Sequence, residues 1–211
     1  MPPGVYHNKP IIGLAGGVGS GKSFVARVLA EQGYLVIDSD RHVSEAYRRA
    51  DVRRTLRKWW GKEIFLPDGQ LDRAAVAKKA FGNPAQRKRL EKLLHPLVAR
   101  MRQRVMRQAA REAQVLGFVW DAPLLFEASL APQCDAVLFV HAPRRLRLKR
   151  VRQERGWTAA ELARREKSQL PLDKKRKMSD YMVRNTAGAD QVRRQVRDLL
   201  SRIRTSGGDP A

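Results

Sequence analysis

Eight consecutive residues, Gly16-Gly17-Val18-Gly19-Ser20-Gly21-Lys22-Ser23, fill the pattern G-x-x-x-x-G-K-[ST]. Each residue type has a mechanical use around a polyphosphate. Glycines carry no side chain, so backbone N–H groups can crowd the phosphate oxygens. A helix starting at Lys22 turns its unpaired N–H donors and the positive end of its dipole toward the same anion. Lys22 can reach the β- and γ-phosphates, and the Ser23 hydroxyl can ligate Mg²⁺. The expected nucleotide contacts are therefore Gly17, Val18, Gly19, Ser20, Gly21, Lys22, Ser23 and Phe24, with ATP and Mg²⁺ as the expected ligands. A glycine-rich turn without a nucleotide is the alternative. It is disfavoured because an apolar run precedes the loop and an amphipathic one follows it, as the mechanism demands.

A phosphate loop does not say what receives the phosphoryl group. The next candidates are Asp38 and Asp40, in Asp38-Ser39-Asp40 at the carboxyl end of the second expected strand. Ligands of open α/β sheets bind outside that end. A carboxylate there can orient an attacking hydroxyl or take its proton; either aspartate also suits the cap of a following helix. Asp121, in Trp120-Asp121-Ala122-Pro123, closes the third strand. It resembles a Walker B acid that helps hold Mg²⁺, or it is a polar strand end. His95-Pro96 reads as a structural pair at a helix break, and His7, His42 and His141 show no metal-ligand spacing, so no zinc site is assigned. The stretch 144–176 is dense in Arg and Lys. It is either a solvated face or the source of an arginine that stabilises charge on the transferring group.

These residues need elements to position them. Short apolar runs at 11–15, 34–37, 118–120, 136–140 and 181–183 read as five strands alternating with helices, which argues for a parallel sheet flanked by helices. Residues 22–32 read as a helix with Gly33 at its C-cap. Between 41 and 111 the pattern is helical, with segments at 53–60, 74–81 and 85–111, the last kinked or broken at Pro96. Residues 144–178 form helices interrupted near Gly156 and Pro171, and 189–204 is amphipathic. The tail 205–211 is expected to be disordered.

Composition bounds the partners. With 211 residues, 43% of them apolar, the chain suits one compact α/β domain with modest insertions. No run approaches the ~20 apolar residues a membrane span requires, and residues 1–10 lack the pattern of a secretory signal. The single Cys134 excludes an intrachain disulfide and reads as a buried thiol; a cytoplasmic location is expected. Lys plus Arg is 43 against 21 for Asp plus Glu, a net charge of +22 that attracts polyanions without naming one.

Taken in order, the motifs resemble the dephospho-CoA kinase family across nearly the whole chain. Residues 12–23 resemble that family's phosphate loop, and Val36-Ile37-Asp38-Ser39-Asp40 its second-strand motif. Asp68-Gly69 with Leu71-Asp72-Arg73, then Leu94-His95-Pro96, resemble pieces of its insert. Pro123-Leu124-Leu125-Phe126-Glu127 is the most distinctive piece after the loop. Gln169-Leu170-Pro171 with Lys174-Lys175-Arg176 resembles the exit from its lid, and Arg184-Asn185-Thr186 its last strand end.

The resemblance implies a nucleoside-monophosphate-kinase-like P-loop fold. Its parts would be a nucleotide-binding core (1–40, 110–148 and 179–205), a helical acceptor-binding insert (41–109), a lid (149–178) and a tail (206–211). It implies ATP and dephospho-CoA as substrates and Asp40 as the base. It places Asp38, Asp40, His95, Pro123 and Leu124 near the acceptor, and Arg150 or Arg155 as the lid arginine, with Arg152 also in the ambiguous register. Phe24 and Ser39 depart from the family's usual Thr and Ala. Ser44 stands where many members carry Arg, with Arg41 a candidate to compensate. The competing functions are another small-molecule P-loop kinase and a nucleic-acid-dependent ATPase. The second lacks a long acidic Walker B run and a stacking strand, aromatics being only 7%. No specific nucleic acid, no membrane and no particular oligomer is expected.

Overall fold

Residues 11–16, Ile-Ile-Gly-Leu-Ala-Gly, are buried at every position. Such an unbroken apolar run suits the middle of a parallel sheet, where both faces are covered. In the computed structural model, which describes Tyr6 and residues 9–206, this run is β1 (Ile11–Gly16). It is the central strand of five in the order β2-β3-β1-β4-β5. The others are β2 (Tyr34–Asp38), β3 (Gly117–Asp121), β4 (Ala136–His141) and β5 (Tyr181–Arg184), and every pairing is parallel. Parallel neighbours need crossovers. α1 (Lys22–Glu31) joins β1 to β2; α2 (Ser39–Arg48), α3 (Ala50–Trp60), α4 (Arg73–Phe81) and α5 (Pro84–Ala109) join β2 to β3; α6 (Arg144–Arg155), α7 (Ala159–Lys167) and α8 (Leu172–Lys177) join β4 to β5; and α9 (Ala189–Ser206) follows the last strand.

The chain divides into two compact units. One comprises the stretch up to Asp38 and the stretch from Met106 onward; the other is Ser39–Val105. In the first, α1 and α9 pack on one face of the sheet through Val25, Leu29, Val192, Val196 and Leu200. Leu125 and Phe126 after β3, with Leu172 of α8, pack beside Ala15, Val137 and Phe139 in a second cluster. In the second unit, helices close around Leu56, Trp60, Ile64, Val76, Leu90 and Leu94.

The beginnings of two strands are tied in the same way. Ile11 N–H donates to Asp135 Oδ2 (2.7 Å), while Asp135 N–H donates back to Ile11 O (2.8 Å). Val137 N–H donates to Asp180 Oδ2 (2.7 Å), and Asp180 N–H donates to Val137 O (3.0 Å). Each aspartate lies just before the next strand of the sheet.

Four expectations change. Pro96 does not break its helix: α5 runs unbroken from Pro84 to Ala109. Pro96 and Lys92, whose carbonyl loses its donor, both face solvent, so water can satisfy that oxygen, while Leu94, Leu97 and Val98 are buried and hold the helix on either side. The expected all-helical stretch contains one antiparallel bridge, Phe65 to Leu71. Cys134 is only half-buried, its Sγ 3.6 Å from Leu130 O. Thr205 and Ser206 complete α9, and the rest of the expected tail lies outside the described residues.

Candidate active site

The loop between β1 and α1 owes its shape to glycines and to what lies behind them. Gly19 and Gly21 adopt φ of 72° and 90°, left-handed values that side chains resist. A Cβ at Gly19 would lie 2.7 Å from the Arg147 carbonyl oxygen, and one at Gly21 would overlap the Asn185 amide. Backbone and neighbours therefore demand glycine at both places. Lys22 and Ser23 open α1, with Gly21 as the N-cap and no side-chain cap, and Phe24 N–H turns back onto Gly21 O (3.0 Å); such a helix start turns its positive dipole end toward an anion.

Behind the loop, side chains hold its carbonyls. Asn185 Nδ2 donates to Ser20 O (2.9 Å), and Arg150 Nη1 donates to Ser20 O (3.0 Å) and Gly19 O (3.4 Å). Arg150 Nη2 also reaches Asn185 O (3.0 Å). Arg147 Nη1 donates to Val18 O (3.3 Å). With Val18, Gly19 and Ser20 carbonyls bonded outward, the loop is biased to present N–H groups. Of the two arginines expected in a lid, Arg150 is thus engaged on the loop itself, and Arg155 stacks on Trp157 (4.8 Å). Neither lines the cleft of about 270 Å³ beside Gly17, which is bordered by His141, Arg144, Arg147, Asp173 and Arg176.

Asp38 and Asp121 close β2 and β3 at the same register, and Asp121 pairs in turn with Leu14 of β1. In-register neighbours point to the same side of a sheet, so two carboxylates stand side by side at the carboxyl end. Among the described residues no three His, Cys, Asp or Glu side chains gather where they could hold an ion. Asp121, at the carboxyl end of β3 beside β1, and Ser23, in the first turn of α1, carry hard oxygen donors of the kind Mg²⁺ takes.

Pro123 and Leu124 lie on the segment after β3, fixed by a buried ion pair. Lys175, 1% exposed, contacts Glu127 Oε1 (2.9 Å) and donates to Gln169 Oε1 (3.0 Å) and Pro123 O (3.3 Å). Glu127 also accepts from Leu170 N–H (2.8 Å). Burial pushes the Glu127 carboxyl up, but Lys175 and the N–H donors outweigh it and hold the group below its ordinary value. Two separate sequence motifs, 123–127 and 169–176, meet in this one pair.

In the second unit Asp40 sits inside the first turn of α2 rather than at a cap, and it is exposed. Ser44 Oγ donates to Asp40 O (2.7 Å) and accepts from Arg73 Nη1 (3.1 Å), while the Arg73 guanidinium lies 5.7 Å from the Tyr47 ring centre. A guanidinium from α4 therefore stands at Ser44. His95 is exposed on α5 beside Pro96. Sequence reasoning missed Arg73, Arg147 and Glu166. The available signal for Arg147 was its place one turn before Val151, on the buried face of α6.

The sequence comparisons agree with this geometry. The model of the family described as dephospho-CoA kinase matches residues 10–191. A dephospho-CoA kinase of Carboxydothermus hydrogenoformans is 34% identical over 197 residues, covering 92% of this chain and 94% of that protein. One of Geobacter metallireducens is 37% identical over 188 residues, covering 88% and 92%. A solved Thermus thermophilus protein superposes with a TM-score of 0.81 at 32% identity, covering 92% of this chain and 97% of that one. A P-loop kinase fold, a phosphate loop braced from behind and a family match over most of its length together mean that this chain belongs to the dephospho-CoA kinase family.

Proposed function

We propose that this protein transfers the γ-phosphoryl group of ATP to the ribose 3′-hydroxyl of dephospho-CoA, giving coenzyme A and ADP. The observation that carries this reading is the family match over residues 10–191, which brackets an intact phosphate loop. Phosphoryl transfer is mainly positioning and charge stabilisation. In this reading the N–H groups of residues 17–23 cradle the β- and γ-phosphates, and Lys22 follows the charge as it shifts in the transition state. Ser23 and Asp121 would hold Mg²⁺, which when bound would supply positive charge to offset that of the polyphosphate. Arg150 acts from beneath, on the loop carbonyls, while Arg144 and Arg176 give the cleft beside Gly17 its positive field.

A ribose hydroxyl is a weak nucleophile, and Asp40 orients it and accepts its proton late; Asp38 is the alternative base. Residues 41–109 carry the acceptor, with His95 as one contact, and residues 149–178 act as the lid. Incubation with Mg-ATP and dephospho-CoA should yield coenzyme A, identified by mass and by phosphate at the 3′ position. Phosphorylation of a nucleoside, a nucleoside monophosphate or shikimate in its place would overturn the assignment.

A further inference from the structure

Arg147 is an unusual arginine for so basic a chain. Its side chain is 6% exposed, and its donors go to three different segments. Nε donates to Ala142 O (3.1 Å) at the end of β4, Nη1 donates to Val18 O (3.3 Å) in the phosphate loop, and Nη1 pairs with Glu166 Oε1 on α7. A guanidinium is tolerated at such burial only when its charge is matched and its donors are used. Glu166 matches the charge; Ala142 and Val18 use the donors. The space is tight as well: a Cβ added at Gly17 would lie 3.0 Å from Nη1 and 3.1 Å from Leu172 Cδ1.

The Val18 peptide has two ends. If its carbonyl turned inward it would repel the phosphates. The bond from Arg147 turns that oxygen outward, and Glu166 keeps Arg147 in place. We propose that the Arg147–Glu166 pair is a strut that sets the orientation of the Val18 peptide, so that Glu166, on a helix separate from the loop, is a positioning residue for the triphosphate. This rests on the reading above that the loop binds ATP. Neither side chain is placed on the reacting atoms.

A buried ion pair can also be structural only, and the test separates the two roles. Replacing both members by apolar residues of similar size, Arg147→Met with Glu166→Leu, removes the buried charges together, a change that often leaves stability intact. It also leaves Val18 O without its donor. Loss of one charge-assisted hydrogen bond corresponds to roughly tenfold in an equilibrium constant or more. The double variant should melt near wild type, with KM for ATP raised about tenfold and kcat at saturating ATP and KM for dephospho-CoA changed little. A normal melt with wild-type KM for ATP would overturn the strut.

Arg147→Lys is the second variant, in case the first fails to fold. An ammonium can still neutralise Glu166 but cannot reach all three acceptors in the geometry of the guanidinium fork. It should raise KM for ATP in the same way, and an unchanged KM overturns the proposal. Wild-type protein that binds no ATP in an equilibrium titration would instead sink the nucleotide reading.

Discussion

The two units put their polar side chains to different uses. Around the phosphate loop the groups that matter are buried: Arg147, Lys175 and Asn185 are each 5% exposed or less, and their donors meet backbone carbonyls, carboxylates or a side-chain amide. In Ser39–Val105 an apolar cluster joins the helices; His42 and Arg102 are buried too, while the ion pairs and the ring-stacked arginines lie at the surface. Arg49–Asp51 and Lys79–Glu63 are surface pairs, and Arg53, Arg57 and Arg89 rest on the rings of Phe65 and Trp59. Exposed pairs contribute little and are screened by salt. Apolar spacing alone can specify such a helical unit. A polyphosphate cradle also has to hold carbonyls outward, and that needs satisfied buried donors.

The sharpest way to break this contrast is at Lys22. Lys22→Ala should lower kcat by ~10²-fold or more while the melting temperature stays near wild type; native turnover would remove the loop from the chemistry. Asp40→Asn tests the exposed side. A general base contributes ~10²-fold or more, so kcat should fall by about that factor with ATP affinity intact. A variant that melts normally and keeps the native rate would rule out Asp40 as the base.

Stability should respond in the reverse order of exposure. Glu127→Leu leaves the Lys175 ammonium buried without its carboxylate, a loss of ~3 kcal/mol or more, or roughly a 10 °C drop in Tm for a chain of this size. Adding Lys175→Met should recover much of it. The pH dependence has a definite sign. The folded Glu127 carboxyl lies below its ordinary value of 4.5, so its contribution is present above that pH and is lost as pH falls through the lowered value. The gap between wild type and Glu127→Leu should therefore narrow in acid; a constant gap would show that the charge is not what stabilises. The smallest effect belongs to the helical unit. Asp72 caps α4 by accepting from Ala74 and Ala75 N–H (2.8 and 3.1 Å), and Asp72→Ala should cost about 1 kcal/mol with catalysis unchanged.

How much of this was legible follows from distance along the chain. The loop glycines, the five strands and α4 announce themselves over a few residues, because turn chemistry and period are local signals. Asp121 was legible as a strand end, but its register with Asp38 was not, since pairing between residues so far apart in the chain leaves no local trace. Glu127 and Lys175 were each visible in separate motifs, with nothing to say that they meet. In α6 the charge density hid the answer. Among neighbouring arginines the exposed Arg155 and the buried Arg147 are the same letter; the spacing from Val151 puts Arg147 on the inner face, but nothing local names Val18 and Glu166 as its partners. Pro96 misled for a related reason: proline is read as a breaker from its own chemistry, whereas the buried leucines around it decide the outcome.

The paired aspartates that open β1 and β4 have one more consequence. The first amide of a strand commonly frays and trades its proton with solvent quickly. Ile11 and Val137 are first or second residues of their strands, yet each N–H is closed into a two-bond ring with the aspartate before the neighbouring strand. Asp135 and Asp180 are exposed while Ile11 and Val137 are buried, so the ring adds to the protection that depth gives these amides. In amide hydrogen-exchange terms the amino end of the sheet should be as slow as its middle, and Asp135→Ala should release the Ile11 proton while leaving that of Val137 protected.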